Sequence, residues 1–353
     1  MGLPRSSYVP EGEEGVYHCI SRCVRRAFLC GVDRVTGHDF SHRKAWLLEK
    51  LRELAAVFAI EVCAYAILVN HIHSILRTRP DIVATWSDIE VARRWLTLFP
   101  QRFSRGKPAP PLEEQIRALA QCSERIGVLR KRLCSLSWFM GRLNESIARR
   151  ANKEDGVKGR FWEGRFKCQA LLDGAAIAAC MVYVDLNVIR AGQATTPEAS
   201  DFTSIQERIR AWQKENGTII SGGTPAARVF QKEEAGSADW LCPIASGPHR
   251  RGILPMTAEE YFGLVDRSGR MIRPDKPGAI DVDLGSILLR IGANPEAWPE
   301  TISSFGRQFS LVAGLLANLR NFADRLGRRW FKGVGAAREA FGPLPSKLAG
   351  SRT

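Results

Sequence analysis

An α+β fold built on an antiparallel sheet is predicted by three observations in this 353-residue chain. An apolar run, residues 58–76, is rich in β-branched residues and holds no Gly or Pro, so it reads as one or two buried strands with a turn near Asn70. An alanine-rich stretch, residues 173–189, starts on Asp173, a good helix N-cap, and Gly192 just beyond it is a helix stop. The third observation is the order of the segments: strand, helix, two strands, an inserted region, strand, helix.

Each element has its own warrant. Residues 14–30 read as a strand leading to a basic turn that carries Arg25 and Arg26. Residues 40–58 have helical spacing, with Trp46, Leu47, Leu51, Leu54 and Val57 on one side. The strands around His71 follow. Residues 86–104 read as a helix with Trp86, Ile89, Arg93, Trp95 and Leu96, and the Lys107–Pro111 stretch breaks the chain. Residues 112–152 read as one or two helices rich in Arg and Lys, residues 166–172 as a strand, and residues 173–189 as the last helix. This order matches a ferredoxin-like sandwich.

The length favours two domains, or one domain with a large extension. Residues 1–216 form the first, with a helical insertion around 84–158. Residues 217–250, rich in Gly, Ser, Thr and Ala, read as a linker or a loose connection. Residues 251–353 read as a small helical accessory domain. It opens on a capping box from Thr257 to Glu260 and has helical spacing over 283–331. That spacing ends in a basic aromatic stretch: Arg320, Phe322, Arg325, Leu326, Arg328, Arg329 and Trp330. DNA contact and a solvated charged face both fit this stretch.

Composition narrows the function class. Hydrophobic residues make up 45% of the chain, enough for a core, and the net charge of +14 points to a polyanionic partner. The nine cysteines contain no Cys-x-x-Cys, and the spacing of Cys19, Cys23 and Cys30 fits no usual zinc pattern. Cys63, Cys168 and Cys180 sit in apolar contexts and read as reduced core thiols, and the odd count argues against a secreted disulfide framework. The N-terminus lacks an apolar export segment, and no apolar stretch approaches the ~20 residues of a membrane span. The expected location is the cytoplasm.

Two motifs carry chemistry. On a strand, His71 and His73 point to the same face while Ile72 turns to the other. Two neutral imidazoles side by side make two ligands of a divalent-cation site. The same spacing also fits two histidines hydrogen-bonded at a sheet edge. On a helix, Tyr183 and Asn187 lie one turn apart on one face. The Asn187 carbonyl is a candidate third ligand, suited to magnesium or manganese. The Tyr183 hydroxyl is then a candidate nucleophile, although a phenol with a pKa of roughly 10 needs activation. A core tyrosine with a capping asparagine is the plainer alternative.

A third stretch interleaves cations with rings: Arg160, Phe161, Trp162, Arg165, Phe166 and Lys167. Charges for phosphates and flat faces for bases suit single-stranded DNA. The expectation is at least one buried ring, with Arg160 and Arg165 lining the strand path. Arg190 is placed to hold a phosphate or to cap its helix.

Taken together, these segments resemble one family. Asn70-His71-Ile72-His73 resembles the His-hydrophobic-His motif of the HUH enzymes. Residues 183–192 resemble the tyrosine-helix signature of single-tyrosine HUH transposases, and especially the REP-associated tyrosine transposases and their larger relatives. Residues 16–22 with Arg25 and Arg26 resemble the family's first strand, and residues 159–167 the segment before its last core strand. The matches keep the family's order over roughly residues 14–210. Val188 stands where the signature has Pro, and the stretch from His73 to Tyr183 is longer than in compact members.

The resemblance implies a ferredoxin-like core and a divalent metal, magnesium or manganese, held by His71, His73 and Asn187. It implies that Tyr183 attacks single-stranded or hairpin DNA, forms a 5′-phosphotyrosine and frees a 3′-hydroxyl, as in DNA transposition. The protein acts as a monomer or a homodimer on this reading. Two other readings stay open: a catalytically silent DNA-binding regulatory protein of the same fold, and a metal-dependent nuclease that uses water.

Overall fold

A computed structural model describes residues 4–24, 29–33, 36–101, 103–104, 107–216, 238–271, 287–329 and 331–341. In chain order the elements begin with β1 (Gly15–Arg22), α1 (Arg43–Val57), β2 (Ile60–Ile67), β3 (His71–Thr78), α2 (Pro80–Thr85) and α3 (Asp88–Leu98). Two short strands follow, β4 (Phe103–Ser104) and β5 (Lys107–Pro108), then α4 (Glu113–Ala120), α5 (Ser123–Leu133), α6 (Leu136–Glu154) and β6 (Lys167–Leu171). The remainder comprises α7 (Gly174–Asp185), α8 (Asn187–Arg190), α9 (Ser204–Glu215), α10 (Ala258–Met271), α11 (Trp298–Gln308), β7 (Val312–Ala313), α12 (Leu316–Arg325) and α13 (Val334–Ala340). The fold is mixed α+β. Among the described residues, no helix is long and apolar enough to cross a membrane.

The chain divides into two compact units. The first comprises Met1–Gly15, Ser21–Val62 and Leu76–Phe166. Its core forms where α1 packs on α6. Leu47, Leu51, Leu54 and Val57 of α1 are buried at the spacing the sequence predicts, with Trp46 only half-buried. Facing residues of α6 include Phe139, Leu143 and Ile147. Arg43 is buried, with its guanidinium paired to Glu154 (Nε to Oε2, 2.6 Å) and to Asp155. A buried charge needs such pairing, because desolvation alone would expel it. Helix α3 starts later than its spacing suggests. The Ser87 side chain accepts from the Glu90 amide at 3.2 Å and caps it there, so Trp86 lies outside the helix and Ile89 is exposed. Residues 112–152 make three helices rather than one or two, because turns at Cys122 and Cys134 interrupt the spacing.

The second unit comprises Val16–Ile20, Cys63–Ile75 and Lys167–Thr353. Among the described residues the main sheet has five strands, in the order β2-β3-β1-β6-β7. Strand β1 pairs antiparallel with β6, from Val16 opposite Leu171 to Ile20 opposite Lys167. The fifth strand corrects the sequence reading, which took 283–331 as helical throughout. Val312 and Ala313 are buried and pair parallel with β6, the Leu311 and Ala313 carbonyls accepting from Ala170 and Leu172 at 2.9 Å. A two-residue strand has no periodicity to read, and its pairing depends on a partner far away in sequence.

Helix α7 packs against α10 and α11 in this unit. The capping box at α10 is present as its sequence predicts: Thr257 Oγ1 accepts from the Glu260 amide at 3.2 Å, and Glu260 accepts from the Thr257 amide at 2.8 Å. Of the expected linker, residues 217–237 lie outside the described residues, and Leu241, Cys242 and Ile244 are buried. No disulfide joins the nine cysteines, and Cys63, Cys168 and Cys180 are buried.

Candidate functional site

Helix α7 is apolar on nearly every side, so it can only be a buried helix. Its start is fixed by Asp173, whose side chain accepts from the Ala176 amide at 3.0 Å. The same carboxylate accepts from the Leu315 amide at 2.6 Å and from Asn318 at 2.9 Å, which ties the turn after β7 to the head of the helix. At the other end, Asp185 is wholly buried and accepts from Ser204 Oγ at 2.6 Å and the Tyr261 hydroxyl at 2.5 Å. Burial pushes this carboxyl up to about 6, with the two hydrogen bonds and the Arg208 charge acting against that rise. The helix then breaks at Leu186, resumes as α8, and stops before Gly192, which has a positive φ of 67°.

Tyr183 and Asn187 come off this anchored segment, and the strands supply the rest. The His71 and His73 rings lie 4.8 Å apart, centre to centre. Asn187 Nδ2 lies 3.0 Å from His73 Nε2. The Tyr183 ring sits edge-on to His73 at 5.8 Å. Thus four residues predicted to work together, Tyr183, His71, His73 and Asn187, are gathered at one place within one unit. Asn70 Oδ1 is 2.5 Å from His71 Nδ1, which puts the proton on Nδ1 and makes Nε2 the basic nitrogen.

Sequence reasoning missed two members of this cluster. His18 of β1 stacks on His73 at 5.1 Å, with Nε2 2.8 Å from His73 Nδ1, and its own Nδ1 is 3.4 Å from Gln169 Oε1 of β6. All three side chains are buried. Burial, more than any neighbour, holds both imidazoles uncharged: His18 is lowered to about 4 and His73 also lies well below the ordinary histidine range. The available signal was period-two alternation. His18 falls between apolar neighbours on a strand otherwise read as core, and a polar residue there asks for a partner.

Around Tyr183 the site is partly closed. Its ring lies 5.9 Å from Phe305 of α11, and a side chain at Gly306 would meet its hydroxyl. The Arg190 guanidinium stands 5.0 Å from the ring centre and donates to the Ser303 carbonyl of α11. Burial raises the Tyr183 phenol above its ordinary value, while the Arg190 charge and hydrogen bonds to Arg190 and Asn187 pull it back. The hydroxyl is therefore protonated at neutral pH in this arrangement.

The expected DNA-contacting residues divide. Arg25 and Arg26 lie outside the described residues. Arg160 and Arg165 are exposed on the first unit, and Lys167 and Arg190 are exposed on the second. Trp162, read as a DNA contact, meets instead the expectation of a buried ring. It is buried with Phe161 and Phe166, and its indole N–H donates to the Asn144 carbonyl at 2.8 Å, so its face is core and not a platform for a base. In the C-terminal basic stretch, α12 ends at Arg325 with Phe322 buried and Arg320, Arg328 and Arg329 exposed, and Trp330 lies outside the described residues.

Among the described residues, no group of three or more His, Cys, Asp or Glu is arranged to hold a metal ion. A set that includes an amide is of a different kind. His71, His73 and Asn187 offer two neutral imidazoles and an amide whose oxygen and nitrogen exchange by rotation about its last bond. Such a mixed nitrogen and oxygen donor set fits manganese, or magnesium with added water.

No protein-family model matches the chain, and no curated protein matches its sequence. Among solved structures, a REP-associated tyrosine transposase bound to a REP hairpin is similar over 59% of this chain and 86% of that one, at 13% identity and a TM-score of 0.31.

Proposed function

We propose that the chain is a single-tyrosine DNA strand transferase that cuts and rejoins single-stranded DNA through a covalent 5′-phosphotyrosine. One observation carries this reading: Tyr183 on α7 stands edge-on to His73 at 5.8 Å, and His73 in turn lies 4.8 Å from the His71 ring and 3.0 Å from Asn187 Nδ2. The sheet order β2-β3-β1-β6 supports it, because a ferredoxin-like sandwich has that order and lays its helices on one face. The resemblance of residues 70–73 and 183–192 to the HUH signatures supports it independently.

In this reaction Tyr183 Oη attacks phosphorus in line, and the bond from phosphorus to the 3′ oxygen breaks. The phenol loses its proton and the departing 3′ oxygen gains one. Rejoining runs the same steps backwards, with a 3′-hydroxyl as nucleophile and the phenol as leaving group. Because the link is an ester of the same kind as the one broken, no nucleoside triphosphate is needed. A divalent cation on His71, His73 and Asn187 would supply positive charge at the phosphate oxygens where negative charge builds up. Arg190 adds a second, fixed positive charge beside the phenol, while Tyr183 comes from α7 and Asn187 from the first residue of α8, one residue past the break at Leu186.

The test is to incubate the protein with labelled single-stranded DNA, with and without a hairpin, and manganese. A covalent protein–DNA adduct that needs Tyr183 is the expected result. Cleavage without an adduct favours the hydrolytic nuclease, and binding without cleavage favours a regulatory protein. The DNA partner, the metal and a cytoplasmic location all belong to this proposal.

A further inference from the structure

Two buried polar side chains, His18 and Gln169, lie behind the candidate ligand His73 on adjacent strands. His18 of β1 faces Gln169 of β6 in direct register, and β3, which carries His73, flanks β1 on the other side. Their contacts form one line: Asn187 Nδ2 to His73 Nε2 at 3.0 Å, His73 Nδ1 to His18 Nε2 at 2.8 Å, His18 Nδ1 to Gln169 Oε1 at 3.4 Å.

Such a line has a direction. A neutral imidazole carries one N–H and one lone pair, so each ring passes the choice to the next. The Gln169 carbonyl oxygen only accepts. His18 must then donate from Nδ1 and accept at Nε2. His73 must in turn donate from Nδ1, which leaves its lone pair on Nε2, the nitrogen that faces Asn187. In the reversed arrangement Gln169 turns its amide nitrogen to His18 and every proton moves along. His73 then presents an N–H where a cation would sit, and an N–H is no ligand. A mixed arrangement sets two donors or two lone pairs against each other at 2.8 Å in a buried place, where an unmet polar group is costly.

We propose that His18, backed by Gln169, is a positioning residue that fixes His73 in its Nδ1–H tautomer and so presents Nε2 to the cation. The inference rests on the cation reading of His71, His73 and Asn187. It adds two residues that belong neither to the His-x-His pair nor to the tyrosine helix, and it makes β1 and β6 part of the site. Metal-bound histidines commonly need such a partner on the second nitrogen, and its loss weakens binding by about 10–100-fold.

The experiment uses the full chain labelled with 15N-histidine. Long-range 1H–15N spectra of the metal-free protein report the tautomer of each ring, and a Mn2+ titration reports affinity. His73 is expected as Nδ1–H in the wild type. His18→Phe keeps the ring but removes the acceptor, and should weaken Mn2+ binding by about 10–100-fold. His18→Gln restores an acceptor oxygen and should recover most of that loss. Should His18→Phe fail to fold, Gln169→Met carries the test one residue further back, with a mixed His73 tautomer and a smaller loss of affinity expected. An Nε2–H tautomer of His73 in the wild type, or wild-type Mn2+ affinity in a folded His18→Phe protein, overturns the proposal. A wild type that binds no Mn2+ defeats the cation reading itself, and the wild-type titration tells that failure apart from one at His18.

Discussion

A side chain added at Gly306 would place its first carbon 2.8 Å from the Tyr183 hydroxyl. The glycine of α11 and the phenol of α7 thus fit by the absence of an atom. Gly306 sits inside a helix, where alanine is normally better by about 0.8–1 kcal/mol. In this chain the gain is opposed by contact with the hydroxyl.

The first prediction is a double-mutant cycle on this pair. Gly306→Ala should stabilise a Tyr183→Phe protein by about 1 kcal/mol, and the protein with Tyr183 by clearly less. Denaturant unfolding of the four proteins measures it. Equal gains in both backgrounds would show that the two residues do not press on each other.

Tyr183→Phe removes one oxygen from a half-buried ring. Fold, Mn2+ affinity and DNA binding should persist, while the covalent adduct vanishes, since water does not replace a positioned nucleophile. Gel analysis of labelled DNA after denaturation reads the adduct directly. Normal cleavage by the phenylalanine protein would assign the chemistry to water.

His71→Ala should act differently from Tyr183→Phe. Mn2+ binding should weaken, cleavage should slow, and high Mn2+ should restore part of the rate, because Tyr183 is still present. A chelator should stop cleavage by the wild type and excess Mn2+ should reverse it. Cleavage indifferent to chelator would remove His71 and His73 from the chemistry.

Asp185 is a matter of stability. Asp185→Ala leaves the Ser204 and Tyr261 hydroxyls buried without their acceptor, and should cost about 2–5 kcal/mol. Asp185→Asn keeps an oxygen and should cost less. A thermal melt separates the two. A melting temperature unchanged in the alanine protein would mean that α7 is anchored elsewhere.

The aromatic segment yields opposite outcomes for neighbouring residues. Arg165→Ala should leave stability unchanged and reduce the salt dependence of single-strand binding by about one counterion. Trp162→Ala should instead destabilise the first unit by about 3–5 kcal/mol, as loss of a buried ring does. A stable Trp162→Ala protein that binds DNA poorly would return the indole to the DNA surface.

The sequence by itself determined the elements whose signal is local. Alternation placed His71 and His73 on one face of a strand. A cap at Asp173 and a stop at Gly192 bounded the segment that carries Tyr183 and Asn187, and Thr257 with Glu260 marked the start of α10. Only the tertiary structure decided what meets these residues. The pairing of β1 with β6, some 150 residues away, sets Gln169 behind His18. Parallel addition of Val312 and Ala313 to the sheet is of the same kind, and so is the seating of Gly306 on the Tyr183 hydroxyl. The physical reason is range. Helix caps and strand alternation are interactions within a few residues, and they leave a pattern in the chain. A hydrogen bond between buried side chains on different strands leaves none, since its partners are chosen by the packing that brings them together.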